Sequence, residues 1–338
     1  MAKKIGRYAF TFEKEIYIGG YGNIAGKKEG QGPLGNLFDR IEPDLYCGKK
    51  TMEQAEQYLQ QTALENALHR AGIKRETLDI FCAGDLLNQC ISSAFGFRES
   101  DVPYIGLYGA CSTMALSTLI AALNIEAGLA QKAAACTSSH FGTAERQYRF
   151  PLEYGGQRPP AAQHTATASG AVVLTTQKSP IRLYGGAFGS IQDLGVTDQN
   201  NMGGAMAPAA LKLILDYLQE TRTTPENYDL ILTGDLGEIG ASVVVELAQE
   251  RGVNLHQNYQ DCGLLLYDRQ KQDMHAGGSG CGCSAAVLTA YILPKLAKGE
   301  LKNVLFLSTG ALLSPTSVMQ GESIPSIAHL IHLKGEGQ

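Results

Sequence analysis

Cys111 is the residue of this sequence best placed to do chemistry, in the stretch YGACSTMALS from Tyr108 to Ser117. Small residues running straight into an apolar periodic stretch read as a sharp turn opening a helix, with the cysteine at its N-terminus. There the helix dipole and unpaired N–H groups lower a thiol's pKa and attract anions. Two chemistries fit: nucleophilic attack by a thiolate, or a pocket for a ligand. The plainer alternative is a small buried hydrophobe, which cysteine often is. A late Gly-rich turn, AGGSGCGCSAA, carries Cys281 and Cys283. Its C-x-C spacing lacks a second Cys or His pair nearby, so it predicts no zinc site, and no metal or cofactor is expected. The eight cysteines sit mostly in apolar runs or small-residue turns, the setting of reduced, buried thiols.

Both turns must be held by helices and strands, and the pattern around them repeats. MEQAEQYLQQTALENALHRAG, from Met52 to Gly72, spaces Leu59, Ala63, Ala67, Leu68 and Ala71 at helical period. LDIFCAGDLL then has the length and apolarity of a strand. The order recurs as AALKLILDYLQETR, TTPEN and YDLILTGDLG. Glu76, Asp79, Gly84, Asp85 and Leu86 match Glu226, Asp229, Gly234, Asp235 and Leu236 at a constant offset of 150. Further on, Cys111 and Ser112 fall on Cys283 and Ser284 at an offset of 172, and Gly128 falls on Gly299 at 171. Alternating strands and helices imply parallel βαβ units, and a duplication over this distance implies two similar halves rather than a solenoid. The join is placed near Ser179, giving halves 1–178 and 179–338, with a loop-rich insertion at 141–163.

At 338 residues, with an ordinary apolar and a rather low charged fraction, the chain can bury a sizeable core. A net charge of −5 and a pI near 5.8 argue against nucleic acid as a partner. MAKKIGRYAF has no apolar run after its basic residues, so no secretory signal is expected. No segment reaches the roughly 20 apolar residues needed to span a bilayer. A literal G-x-G-x-x-G at Gly30, Gly32 and Gly35 contains Pro33 and has no clean strand leading into it. It is not read as a dinucleotide-binding turn.

Two α/β halves, each with a helix entered through a small-residue cysteine turn, resemble the thiolase superfamily, which includes the ketoacyl synthases. That resemblance implies an α/β fold, a five-layer αβαβα sandwich built from two duplicated halves and assembled as a homodimer. In the superfamily the cysteine carries an acyl thioester, and a His with an Asn or second His from the second half activates it. Here TGDLGEIG stands where a HQAN-like segment is expected, so the histidine position falls around Gly234 and Asp235. The late turn has Cys281-Gly282-Cys283 in place of the usual GN. His140, His164 and His275 are the candidate substitutes, each weighed against an ordinary structural histidine. His140 is the strongest, since TSSH follows the strand after the Cys111 helix and ends near the same cleft.

Within that superfamily, an ordered set of segments is similar to the stage V sporulation protein AD family: GPLGNLFD, AGDLLNQ, GACST, SSHFGTAERQYRFPLEYGGQ, MGGAMAPAA, LTGDLGEIG, DCGLLLY and GALLSPTSVMQGESIPSIAH. The resemblance runs from Phe12 to His332. It implies a non-catalytic binding role for dipicolinic acid, pyridine-2,6-dicarboxylate, with calcium as an accompanying ion to consider. It also implies work with membrane subunits of the stage V sporulation A complex, in uptake into the developing spore and release in germination. The chain itself would be peripheral to the inner spore membrane. A small planar dianion needs N–H donors, cations and an aromatic wall. The ligand-binding set expected on this reading is Cys111, Ser112, His140, Arg146, Arg149, Asp235 and Cys283, with Tyr148, Phe150 and Tyr154 for packing. The arginines have a structural alternative in ion pairs with Glu145 or Glu153, or in a subunit contact. Asp85 and Asp235 are the oxygen donors available to calcium. The competing readings are a Cys111-dependent ketoacyl synthase or thiolase-type acyltransferase, and a scaffold subunit whose cleft is vestigial.

Overall fold

A computed structural model describes residues 2–149 and 152–336. Ten strands carry the architecture: β1 (Ala9–Ala25), β2 (Ile80–Gly84), β3 (Tyr104–Gly106), β4 (Lys132–Ser139), β5 (Ala168–Thr175), β6 (Ile181–Phe188), β7 (Leu230–Thr233), β8 (Tyr259–Asp261), β9 (Asn303–Ala311) and β10 (Ser326–Gly335). Their spatial order is β8-β7-β9-β10-β6-β1-β5-β4-β2-β3. Read outward from the middle, the second half repeats the first: β1, β5, β4, β2, β3 against β6, β10, β9, β7, β8. The pairing senses repeat as well. The three outer strands of each half are parallel, and the two inner ones run antiparallel to their neighbours. The expected units are therefore parallel only in their outer parts. The halves meet where β1 pairs antiparallel with β6, from Ala9 opposite Ala187 to Tyr17 opposite Arg182, with a register break on the way.

Helices form the other three layers. On one outer face α1 (Met52–Ala71) starts at Thr51, whose hydroxyl accepts from Gln54 N–H, and ends at Gly72 with φ 66°. Ala63 and Ala67 of this helix ride on Gly20 and Gly22 of β1, where any Cβ would collide with their carbonyls. On the other face lie α5 (Met202–Thr221) and α6 (Gly237–Glu250), which cross at Gly203 and Gly240. Helix α5 begins seven residues before AALKLILDYLQETR and carries Pro208 inside it, beyond what apolar periodicity alone marks. The middle layer holds α3 (Thr113–Glu126) and α8 (Cys281–Val287), which runs on through a π-turn into Leu293–Ala297. Both middle helices are apolar almost all round, as a helix covered by sheets on both sides must be.

The short helices that bear on the site are α2 (Ile91–Gly96), α4 (Phe141–Tyr148) and α7 (Cys262–Leu266). Helix α4 lies in the segment expected to be loop-rich. No strand leads directly into the G-x-G-x-x-G stretch: β1 ends at Ala25, a helical turn at Lys27–Gly30 intervenes, and a 3-10 turn follows at Gly35–Leu37. Gly32 packs against the Leu266 carbonyl and Gly35 against that of Gly30, so these glycines serve close backbone packing.

Candidate functional site

The Cys111 turn is built from its own side chains. Ala110 sits at φ 49°, a left-handed conformation that a non-glycine residue adopts only when its surroundings enforce it. Ser112 Oγ donates to Gly109 C=O at 2.6 Å and Thr113 Oγ1 to Ala110 C=O at 2.7 Å, which holds the kink. The turn delivers the Cys111 side chain, 5% exposed, into a pocket between the halves. Leu86, Tyr108, Ala144, Tyr148, Arg149, Thr165, Met202, Ser279, Ala311 and Leu313 complete its lining, around an empty volume of about 410 Å³ with the mouth included. The cavity proper is about 40 Å³, room for a few waters, so a ring-sized ligand has to part the lining or sit in the open mouth.

Asp235 is the charged neighbour of the thiol. It is fully buried and follows β7 through Gly234. Its Oδ1 accepts from Thr309 Oγ1 at 2.7 Å, and its Oδ2 accepts from Gly280 N–H at 2.8 Å and Ser279 Oγ at 3.1 Å. The Cys111 thiol feels the charge of the same carboxyl group. Burial, then the Asp235 charge, then the neighbouring Cys281 push the Cys111 thiol well above its ordinary range. This opposes the effect expected from the helix N-terminus: desolvation and a like charge outweigh the dipole. Burial also pushes Asp235 up, against the hydrogen bonds it accepts.

The remaining expected residues are placed as follows. Arg149 lines the pocket, its side chain 11% exposed and ion-paired with Glu145 four residues back. Arg146 points elsewhere and pairs with Glu53, half exposed. Tyr148 Oη lies 2.9 Å from Tyr108 Oη and donates to Leu86 C=O, so the two rings form one aromatic wall. Ser112 spends its hydroxyl on the turn. His140 is a helix cap: Nδ1 accepts from Gly142 N–H at 3.2 Å and Nε2–H donates to Leu45 C=O at 2.7 Å. Both nitrogens are committed and burial lowers its pKa to about 4, so it neither reaches the thiol nor takes a proton from it. His275, with Nδ1 on Pro159 C=O, and the exposed Tyr154 lie outside the pocket. Phe150 falls outside the described residues.

Cys283 is a correction. The matched Cys-Ser pairs put it opposite Cys111, yet it is the third residue of α8 and packs into the core beside Gly278 and Tyr267. Backbone conformation gives the true counterpart. Gly280 at φ 99° answers Ala110, so Cys281 answers Cys111, and the two share one apolar cluster with Leu86 and Ala144. The glycine directly before Cys281 was the available signal. The calcium donors are also corrected. Asp85 accepts from Leu87 N–H, Ser93 N–H and Ser93 Oγ at 2.6–2.9 Å, so its oxygens, like those of Asp235, are occupied by protein donors. Among the described residues no group of three or more His, Cys, Asp or Glu is arranged to hold a metal.

A family model described as stage V sporulation protein AD matches residues 6–334. Over 327 residues the chain is 42% identical to the stage V sporulation protein AD of Bacillus subtilis strain 168, covering 97% of this chain and 96% of that one. The chain belongs to the stage V sporulation protein AD family. Among solved structures it is similar to the 3-oxoacyl-(acyl-carrier-protein) synthase III of Aquifex aeolicus VF5, with TM-score 0.57 and 14% identity over 93% of this chain and 99% of that one. It is also similar to cerulenin-bound OleA of Xanthomonas campestris, with TM-score 0.59 and 14% identity over 95% and 97%. These likenesses show a thiolase-like fold.

Proposed function

We propose that this sporulation protein is a non-catalytic binder whose Cys111 pocket takes dipicolinic acid. On this reading it works with membrane subunits of the stage V sporulation A complex, loading the acid into the developing spore and releasing it in germination. The observation that carries the reading is the company of Cys111: a buried carboxyl group stands where a nucleophilic thiol needs a base or a cation. The thiol is then a protonated, polarizable lining atom at neutral pH. Arg149 supplies a guanidinium that a ligand carboxylate would share with Glu145, and the Tyr108–Tyr148 wall suits a flat ring. Among the described residues no helix is long and apolar enough to cross a membrane, so attachment to the inner spore membrane would run through partners.

A homodimer belongs to the same proposal. Strand β3 ends the sheet order, and Tyr104 within it and Tyr108 just after it are each more than a third exposed. An open edge with aromatic neighbours is a template for a second copy. Light scattering checks this against the chain mass of 36.2 kDa.

The second reading, a Cys111 acyltransferase, draws on one observation: a cysteine on a left-handed elbow facing a pocket is how a nucleophile is presented. Titration calorimetry with dipicolinic acid separates the two. Saturable binding by the parent, weakened in Cys111→Ala with unchanged thermal midpoint, supports the binder. Absence of binding together with an acyl adduct on Cys111 after incubation with acyl-coenzyme A would replace it by the enzyme.

A further inference from the structure

A second cavity lies behind helix α4, separated from the first by that helix and by the short strand His164–Thr165. Ala144, Tyr148 and Thr165 face the Cys111 pocket, whereas Phe141 and His164 face the other. Pro43, Leu45 and Leu152 complete its apolar wall, and Gly26, Lys27, Lys28, Glu29, Asp44 and Thr167 its polar side, around about 680 Å³ of empty volume with the mouth included.

Three features of this cavity point to a ligand. Phe141 and His164 are stacked, centroids 4.2 Å apart and planes 16° from parallel, with Tyr267 edge-on behind the imidazole. His164 is 3% exposed and its buried Nδ1 has no hydrogen-bond partner, an expense rarely left standing at a site of no use. Finally, the local charge is positive. Lys28, Arg158 and Arg149 each act on His164 and, after burial, hold its pKa well down. Lys27 and Lys28 stand exposed on the cavity's polar side. The two acids there offset only part of this. Glu29 is buried, accepts from Thr167 N–H and Tyr267 Oη, and is pushed by burial toward its neutral form. Asp44, which also accepts from Tyr46 N–H at 2.8 Å, sets one carboxylate against the two exposed lysines.

We propose that this cavity is a second ligand site, for a small organic anion with a flat apolar body, its acidic head at Lys27 and Lys28 and its body against the Phe141–His164 pair. The site is independent of what the Cys111 pocket binds, since the two share only their dividing wall.

The test follows the His164 imidazole by NMR, its signal identified by loss in His164→Gln, while benzoate is titrated in. The expected result is a saturable shift of that signal with a rise of at least one unit in the pH at which it titrates, because a bound anion offsets the three cations. A Lys27→Glu/Lys28→Glu variant should weaken benzoate at least tenfold, and Cys111→Ala should leave it unchanged. Those lysines are exposed, so the variant keeps its fold. No shift of His164 at millimolar benzoate, or a shift untouched by the charge reversal, would overturn the site. Loss of the shift in Cys111→Ala would place the probe in the first pocket instead.

Discussion

Asp85 and Asp235 occupy the same place in the two halves, directly after a strand and a glycine, yet their carboxyl groups face different company. Asp85 turns back on its own loop and accepts from Leu87 and Ser93, which makes it a turn anchor. In the second half that work is done by Asp261 at the end of β8, which accepts from Leu236 N–H and Gly237 N–H at 2.9 Å and from Thr233 Oγ1 at 2.7 Å. Asp235 is thereby released from its loop and reaches across to Gly280 and Thr309. One duplicated acid keeps the fold, and its copy has been moved behind the pocket lining, where its charge acts on the Cys111 thiol. The comparison separates two roles that burial and sequence alone leave looking identical.

The most direct effect should come from breaking that difference. Asp235→Asn removes the like charge that, after burial, disfavours the thiolate, so alkylation of Cys111 by iodoacetamide at pH 8 should rise at least several-fold. Asp85→Asn should leave that rate within about twofold and instead cost about 2–3 kcal/mol of stability, measured in urea, as a buried anchor loses an acceptor. Equal effects of the two substitutions on alkylation would erase the distinction between anchor and pocket acid. Mass mapping of the alkylated chain should find Cys111 first and Cys283 unlabelled, since Cys283 lies in the core.

Much of this was legible in the sequence, for physical reasons that also mark where legibility stops. The offset of 150 between Asp85 and Asp235 exposed the duplication, because equivalent strands and turns impose equivalent residue types. The Cys111 elbow was legible because small residues before an apolar helix have few other uses. The pairing of Cys111 with Cys283 misled, because a shared Cys-Ser dipeptide is only composition, whereas the left-handed φ at Ala110 and Gly280 is the constraint that sets register. The same limit applies to His140. Its position after β4 was read correctly, but which way its ring points depends on Leu45 and Gly142, and only the first of these is distant in sequence. The antiparallel inner strands were hidden as well, since apolar runs carry no sign of direction.

A second contrast lies within α4 and the residue after it. Arg146 and Arg149 look alike in sequence, but only Arg149 lines the pocket. Arg149→Ala should weaken dipicolinate by about 50-fold in calorimetry, the worth of a charge-assisted pair at about 2–3 kcal/mol. Arg146→Ala should change it by less than about twofold, since an exposed ion pair contributes little. If both variants bind like the parent, the ligand does not meet this wall of the pocket.

The smallest effect divides the two halves by pH. In the first half the buried Glu56, beside Asp85, is raised by burial and by that neighbour to about 8. In the second, Asp261 is raised by burial, and in smaller part by Asp235, to about 7. A carboxyl group whose folded pKa is raised keeps a proton that the unfolded chain has released. Its stabilising contribution is therefore lost as pH climbs to the folded pKa. Buried His140, His329 and His332, lowered to about 4, 4 and 3, act oppositely, but they remove stability only as pH falls below the ordinary histidine range. Above about pH 6.5 the acids thus act alone, and unfolding stability should fall by about 2 kcal/mol between pH 6.5 and 8. Glu56→Gln should flatten the slope between pH 7 and 8, whereas Asp261→Asn should flatten it only below about pH 7. Denaturant midpoints across that range read both variants. A slope that neither one changes would mean that these acids do not hold protons in the folded chain, and that the two halves differ only in where their carboxyl groups point.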